Sequence, residues 1–453
     1  MIGYILAAGT GRRVAPYGEC RPKCLIPVVN RPIIDYLIDA MLEAGVNRII
    51  VGADRWIGDI RAAVRGHGAV AVTDVGETNG TAQTLSRCIA AAEDDDALVL
   101  YGDVLVDAAD VSRLASTSAE RPALLVTPLP DAESRDWIVA RLDGDRLSSL
   151  VGHPRGGPAN RVAGFLLPRG FRSRLEDCPA HFPTVEVGMM PPEEYHLESA
   201  VESYRLDGNH VAAVVSREPT VDVDKPWHIL SANELALTRA CAKLSSNRLA
   251  EGASIDETAR LDGPVSLGRG SRIGTNVIAR GSIIAGDNVV IESGAIIDGN
   301  VAIGDGSFVG NGCFVGGGSV VGRGCVVSHA AELSGVIFDG VYLYHYMEIY
   351  GIVGAHTDIG AATVCGSLRF DDGETTYRVL GRREVPRRHS NATFIGDYCR
   401  TGVNAVIMPG KRIGPYSIVG PAVLLEEDLP ANTGVRVKQV QERYSWGPNR
   451  YGW

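Results

Sequence analysis

The residues best suited to chemistry stand at the start of the chain. An apolar run (Ile2, Tyr4, Ile5, Leu6) leads into Ala7-Ala8-Gly9-Thr10-Gly11-Arg12-Arg13, and Pro22-Lys23 comes ten residues after Arg13. Small residues at the end of a strand let backbone N–H groups face phosphate oxygens with no Cβ in the way. Arg13 and Lys23 bring positive charge to a phosphoryl group under attack. The segment Leu6–Gly11 with Arg13 and Lys23 is therefore expected to grip a triphosphate. Two other glycine loops do not fit: a dinucleotide fingerprint starting at Gly9 needs glycine where Val14 stands, and no Gly-Lys-Ser/Thr run is present. The plainer alternative is a strand-to-helix turn carrying two solvated bases.

Such a loop needs a scaffold. Up to about residue 130, strands and helices alternate: Ile2–Ala7, a helix over Ile33–Ala44, Arg48–Gly52, a helix over Thr81–Ala92, Ala97–Tyr101 and Ala123–Thr127. This alternation predicts a mainly parallel sheet with helices on both faces and ligands at the carboxyl ends of its strands. Tyr101-Gly102-Asp103 ends one of those strands, so Asp103 falls in the same crevice as the glycine loop. In-line displacement at a phosphate is helped by a hard cation held by oxygen ligands, which makes Asp103 a candidate Mg²⁺ ligand. More extended segments come next (Trp137–Leu142, Leu147–Val151, Val162–Leu167), then a helix over Trp227–Leu244.

From about residue 265 the texture becomes a six-residue repeat. Leu267, Ile273, Ala279, Ala285, Ile291, Ile297, Ile303, Val309, Val315, Val321 and Val327 share one phase, most of them trailed by glycine. The phase returns at Val353, Ile359 and Cys365, and again at Ile395, Thr401, Ile407, Ile413 and Val419. Sustained hexapeptide periodicity predicts a β-helix that stacks its aliphatic residues inward. Between the later runs, Arg369, Arg378, Arg382, Arg383, Arg387 and Arg388 mark an excursion from the coil. Its guanidiniums suit the phosphates of coenzyme A or of a sugar phosphate, or else form a solvated loop.

At 453 residues the chain is too long for one core. The divisions expected are 1–226, a linking helix at 227–250, and 251–453 with a terminal tail. A net charge of −10 argues against nucleic acid or an anionic membrane as partner. Nine cysteines with no C-x-x-C pair suggest buried thiols in a reducing compartment. The chain enters its first strand without a leader and has no apolar run near 18 residues, so a cytoplasmic location is expected.

Leu6-Ala7-Ala8-Gly9-Thr10-Gly11-Arg12-Arg13, Arg21-Pro22-Lys23 and Asn30-Arg31-Pro32-Ile33-Ile34 resemble the signature of sugar-1-phosphate nucleotidylyltransferases, which make nucleotide sugars with release of pyrophosphate. The likeness extends to about residue 235. It implies a Rossmann-like α/β nucleotidyltransferase domain in which the glycines wrap the nucleotide, while Arg13 and Lys23 contact its phosphates. Gly80-Thr81 matches the family's Gly-Thr against the nucleotide, and Asp103 its metal-binding aspartate. Val221-Asp222-Val223-Asp224-Lys225-Pro226-Trp227 resembles an archaeal-style motif whose Asp completes the metal site, here Asp222. The repeats resemble the all-β left-handed parallel β-helix of hexapeptide acyltransferases, which implies a homotrimer and acetyl-CoA.

The departures bear on specificity. Val75 occupies the position where relatives often carry a base-reading Gln; Val151-Gly152 and Val162-Ala163-Gly164 stand where relatives show Val-Glu and Asn-Thr-Gly. The pocket is then expected to accept a different sugar, or to use other polar groups such as His153 and Arg155. In bifunctional N-acetylglucosamine-1-phosphate uridylyltransferase/glucosamine-1-phosphate acetyltransferases a β-helix His is the general base, and His345 matches it. The family's Tyr and Asn are replaced by Glu348 and Ser367, and Glu348 is expected either to raise the basicity of His345 or to form an ordinary ion pair. Likeness to the archaeal two-domain proteins continues through Leu368-Arg369-Phe370-Asp371-Asp372-Gly373 and Ile395-Gly396-Asp397. The leading expectation is a Mg²⁺-dependent transfer from UTP or dTTP to a sugar 1-phosphate, with acetyl transfer as a second activity. An acetyltransferase with a vestigial first domain, and a nucleotide-binding scaffold trimerised by its β-helix, stay open.

Overall fold

The computed structural model describes residues 1–154, 156–157, 159–182 and 193–447, so Arg155 lies outside the described residues. The first domain is a nine-stranded sheet in the order Val70–Asp74, Ile49–Ala53, Ile2–Leu6, Ala97–Tyr101, Ala159–Leu167, Ala123–Leu129, Ala212–Val215, Arg146–Gly152, Ile138–Asp143. The first four strands are parallel, as the alternating pattern requires. Ile2–Leu6 and Ile49–Ala53 are buried along their whole length because helices cover both faces. The sheet is less parallel than expected beyond that point: Ala159–Leu167 runs antiparallel to both neighbours, a direction that apolar periodicity does not encode. The helix Ile33–Glu43 buries Ile33, Ile34, Leu37, Ile38 and Met41, one stripe at helical spacing, against this sheet.

The second domain is a left-handed parallel β-helix of very short strands. Ile273 pairs in register with Ile291, Ile291 with Val309 and Val309 with Val327, so one coil takes 18 residues, or three hexapeptides. The sequence phase breaks after Val327 because the coil shortens, not because it stops. Val327 pairs with Leu343 and Leu343 with Ile359, which makes two coils of 16 residues. The inward stack of Leu333, Leu343, Ile349 and Ile359 is continuous through this stretch.

The arginine-rich excursion leaves the coil after Cys365 and returns at Thr393–Ile395, where Val353 pairs with Ile395. It folds as an antiparallel hairpin, Tyr377–Val379 with Arg382–Glu384, and docks on the first domain. Arg382 meets Asp136 at 3.6 Å, Arg387 meets Glu133 at 3.8 Å, and Arg388 and His389 hold Glu234 at 2.8 and 3.1 Å. Four of the excursion's six arginines are thus committed within the chain, since Arg369 pairs with Asp371 at 2.7 Å. The segment is therefore more than a solvated loop: through Arg382, Arg387 and Arg388 it is a clamp between domains.

The clamp is one part of a wide junction. Tyr17, from the turn after the glycine loop, donates its hydroxyl to the carbonyl of Ile352 at 3.0 Å and meets Phe338 edge-on at 5.4 Å. Arg21 forms an ion pair with the buried Asp397 and lies 4.9 Å over the Phe338 ring. Asn30 donates to the Val321 carbonyl at 2.9 Å, and Arg323 donates back to the Asn30 carbonyl at 2.9 Å. A single apolar cluster holds Ile5, Trp227, Phe338, Tyr377 and Phe394, so the core is continuous from one domain into the other.

Candidate active sites

Leu6 closes the strand Ile2–Leu6, and the Ala7 amide donates to the Gly52 carbonyl at 2.8 Å, which anchors the glycine loop to the sheet. Beyond that anchor, the amides of Gly9, Thr10 and Gly11 make no hydrogen bond to any described residue. A Cβ at Gly9 would meet nothing within 4 Å, so the protein's own packing does not require glycine there. Gly11 has φ of 68° and bends the chain toward Arg13. Free amides beside open space at a strand end are what a phosphate cradle requires.

Gly102 brings the opposite wall close. Its amide donates to the Leu6 carbonyl at 2.9 Å, and a Cβ there would approach that same oxygen to 2.8 Å. Asp103 is thereby fixed beside the loop. Lys23 reaches it from a short turn, Lys23–Leu25, with Nζ 2.9 Å from Asp103 Oδ2. The same Nζ lies 3.0 Å from Asp224 Oδ1, and Arg13 approaches Asp224 at 3.4 Å.

Asp222 and Asp224 arrive on and just after Val221–Asp222, a strand of two residues that pairs antiparallel with Val104–Leu105 and sets Asp222 opposite Val104. The Val223 amide donates to the Asp103 carbonyl at 2.8 Å, which ties the two acidic segments by backbone. Arg161 reaches Asp222 at 3.7 Å, donates to Thr220 at 2.7 Å and lies 5.0 Å over the Trp137 ring. Arg13, Lys23, Asp103 and Asp222 thus converge at one strand-end crevice.

The electrostatics reflect crowding. Burial raises the pKa of Asp222, and the neighbouring Asp103 carboxylate raises it further, against the pull of Arg161. For Asp224 burial acts in the same direction, but Lys23, Lys225 and Arg13 overwhelm it and hold the group well below the carboxylate range. Burial opposes the charge on Lys23, yet Asp103 and Asp224 more than offset it and its pKa is raised. Arg13 is also raised, first by Asp224. Two carboxylates crowded until one is reluctant to ionise are a donor set that a hard divalent cation would relieve. Mg²⁺ commonly keeps several waters and substrate phosphates, so one or two carboxylates suffice. Among the described residues no group of three or more His, Cys, Asp or Glu is disposed around one point.

Three residues at this site take roles that their sequence context does not announce. Asp224, to which the motif assigns no role, is the anion on which Arg13, Lys23 and Lys225 meet. Lys225 lies inside the same motif, again with no role assigned to it, and Arg161 carries no sequence signal beyond type. Gly80 and Thr81 begin the helix Thr81–Ala90, where a Cβ on Gly80 would strike the Tyr195 backbone at 2.4 Å. The Thr81 hydroxyl accepts from the Leu197 amide at 2.8 Å, and the Ala82 amide donates to the Tyr195 carbonyl at 2.9 Å. Val75, Val162 and Ala163 are buried apolar side chains and offer a ligand no polar group.

In the β-helix, His345 sits at an outer corner with Nδ1 2.8 Å from Nδ1 of His329 on the preceding coil, the two rings stacked at 4.7 Å. Tyr342, Tyr344 and Tyr346 around it are exposed. Glu348 does not join His345: it lies on the next strand, in register between Glu332 and Val364, and no hydrogen bond or ion pair links the two. Ser367 stands just past the strand Val364–Cys365, directly before the excursion.

Residues 3–181 match a family described as the MobA-like NTP transferase domain. This part of the chain is similar to an NTP transferase domain. Over nearly its whole length the chain is also similar to archaeal two-domain proteins. A bifunctional sugar-1-phosphate nucleotidylyltransferase/acetyltransferase of Sulfurisphaera tokodaii is 25% identical over 433 residues, covering 95% of this chain and 98% of that one. A bifunctional protein GlmU of Methanococcus maripaludis is 29% identical over 480 residues, covering 97% and 98%. A solved UDP-glucose pyrophosphorylase complexed with UDP-glucose aligns with 52% of this chain and 98% of its own, at 14% identity and a TM-score of 0.45. All nine cysteines are free thiols, and no helix among the described residues is long and apolar enough to cross a membrane.

Proposed function

We propose that this NTP transferase domain couples UTP or dTTP to a sugar 1-phosphate with release of pyrophosphate. The observation that carries the reading is the convergence of Arg13 and Lys23 on the carboxylates of Asp103 and Asp224, beside a loop with free amides. A phosphate oxygen of the sugar 1-phosphate attacks the α-phosphorus of the nucleotide. The bond from that phosphorus to the bridging oxygen breaks, and pyrophosphate leaves with the electron pair. Arg13 and Lys23 offset the charge of the triphosphate, exchanging their hold on Asp224 for phosphate oxygens. Asp103 and Asp222 would hold Mg²⁺, which when bound neutralises phosphate oxygens and favours in-line geometry. The free loop amides at Gly9, Thr10 and Gly11 orient the triphosphate without reorganisation. The test is pyrophosphate release across a panel of sugar 1-phosphates with each nucleoside triphosphate. Silence with every pair would overturn the reading.

A second activity, acetyl transfer from acetyl-CoA to an amino sugar phosphate, is favoured by the His329–His345 contact. When His345 donates Nδ1–H to His329, its Nε2 keeps a lone pair able to take a proton from an amine. The division into residues 1–226, 227–250 and 251–453, trimer formation through the β-helix and a cytoplasmic location complete the proposal. Nine unpaired thiols are in keeping with a reducing compartment.

A further inference from the structure

The clamp hairpin does more than join two domains. Its last residue, Glu384, places Oε2 3.2 Å from Nζ of Lys225, and that same Nζ donates to Asp224 Oδ2 at 2.7 Å. Lys225 is almost fully enclosed, and Glu384 is largely so. The other oxygen of Asp224 receives Lys23 at 3.0 Å, and Lys23 continues to Asp103 at 2.9 Å. An unbroken chain of charged groups therefore runs from the β-helix excursion to the phosphate site.

We infer that Glu384 is a positioning residue for nucleotidyl transfer, supplied by the second domain to the first. Three cations, Arg13, Lys23 and Lys225, share the single carboxylate of Asp224. Glu384 gives Lys225 a second anion and so limits how strongly Lys225 draws Asp224 away from the other two. Without that charge, Lys225 commits wholly to Asp224, and Arg13 and Lys23 are no longer preset by Asp224 in the positions from which they pass to the triphosphate. Loss of orientation falls on turnover rather than on affinity, because both cations are then freer to bind phosphate. The hairpin itself stays docked, since the Tyr377 ring packs on Trp227 at 5.0 Å and Arg388 holds Glu234 at 2.8 Å independently of Glu384.

This inference rests on the nucleotidyl-transfer reading, and the experiment separates the two. In the full chain, Glu384→Gln should lower kcat for pyrophosphate release about tenfold while KM for the nucleoside triphosphate does not rise. Glu384→Asp should recover a substantial part of kcat, and Arg382→Ala, which removes an ion pair on the same strand without touching Lys225, should leave kcat unchanged. An inactive native protein would remove nucleotidyl transfer itself. An active native protein with Glu384→Gln turning over within twofold of it, a loss carried by KM alone, or an equal loss in Arg382→Ala would overturn the role of Glu384.

Discussion

Lys23 donates to Asp103 across 2.9 Å, although 80 positions separate the two residues in the chain. The contact joins the cationic and acidic halves of the proposed phosphate site. Lys23→Met removes the charge and keeps most of the side-chain volume. We expect kcat for pyrophosphate release to fall by about two to three orders of magnitude, the usual effect of losing one preorganised group at a developing charge. Steady-state kinetics at saturating nucleotide check it.

Asp103→Asn keeps the shape of the side chain and removes its charge. Nucleotidyl transfer should lose at least about a hundredfold, and the Mg²⁺ concentration needed for half-maximal activity should rise. Metal titration of the activity, with chelator as the zero point, is the measurement. A variant with native metal dependence would remove Asp103 from the metal site.

His228 introduces a pH dependence of stability. Burial, then the neighbouring Lys225, lowers its pKa to about 3, and its Nδ1 accepts the Asp224 amide at 3.3 Å, a bond that ring protonation would remove. The folded pKa lies below the unfolded value of about 6.5, so between the two the unfolded chain binds the extra proton. Stability is therefore fully present above about pH 6.5 and declines as pH falls toward 3, on the order of 1 kcal/mol per pH unit. Denaturant unfolding at a series of pH values should show this slope flattened in His228→Asn.

Arg21 and Asp397 test the domain junction. The Asp397 side chain is 2% exposed, so Arg21→Ala leaves a buried carboxylate without its cation. The expected cost is about 3 kcal/mol, and the double variant Arg21→Ala with Asp397→Asn should lose less than the single one. Denaturant unfolding of the native protein, the two single variants and the double variant provides the cycle.

At the second site, His345→Ala should abolish thiol release from acetyl-CoA with an amino sugar phosphate, while pyrophosphate release in the first domain persists. His329→Ala should retain part of the acetyl transfer with an altered pH–rate profile, because the lone pair on His345 Nε2 depends on its partner. A pH profile identical to the native one would assign His329 a packing role only.

Much of the proposed phosphate site is legible in the chain because strand ends, small residues and bases are local signals. Ile2–Leu6 and Ala97–Tyr101 are short apolar runs, and the glycine loop and Asp103 stand directly beyond their ends, at the crevice. The position of Asp222 is legible through its motif, but the service of Asp224 is not: which of two alternate carboxylates meets the cations depends on the pairing of Val221–Asp222 with Val104–Leu105. The β-helix is legible through its period, whereas its two shortened coils read as an interruption, since losing two residues per turn shifts the phase without exposing the core. The docked hairpin is illegible for another reason. Tyr377 and Val379 are its buried apolar residues, and arginines that pair with Glu133, Asp136 and Glu234 cannot be told from solvated ones without the partners in view.

The excursion departs from one rung of the stack and rejoins at the next, Val353 meeting Ile395 as if nothing intervened. A solenoid permits this because each rung needs only its two neighbours. A lengthened corner therefore carries a handle that grips the first domain while every rung of the stack stays intact. A change confined to that one corner would alter the grip between the two halves and leave the stack itself untouched.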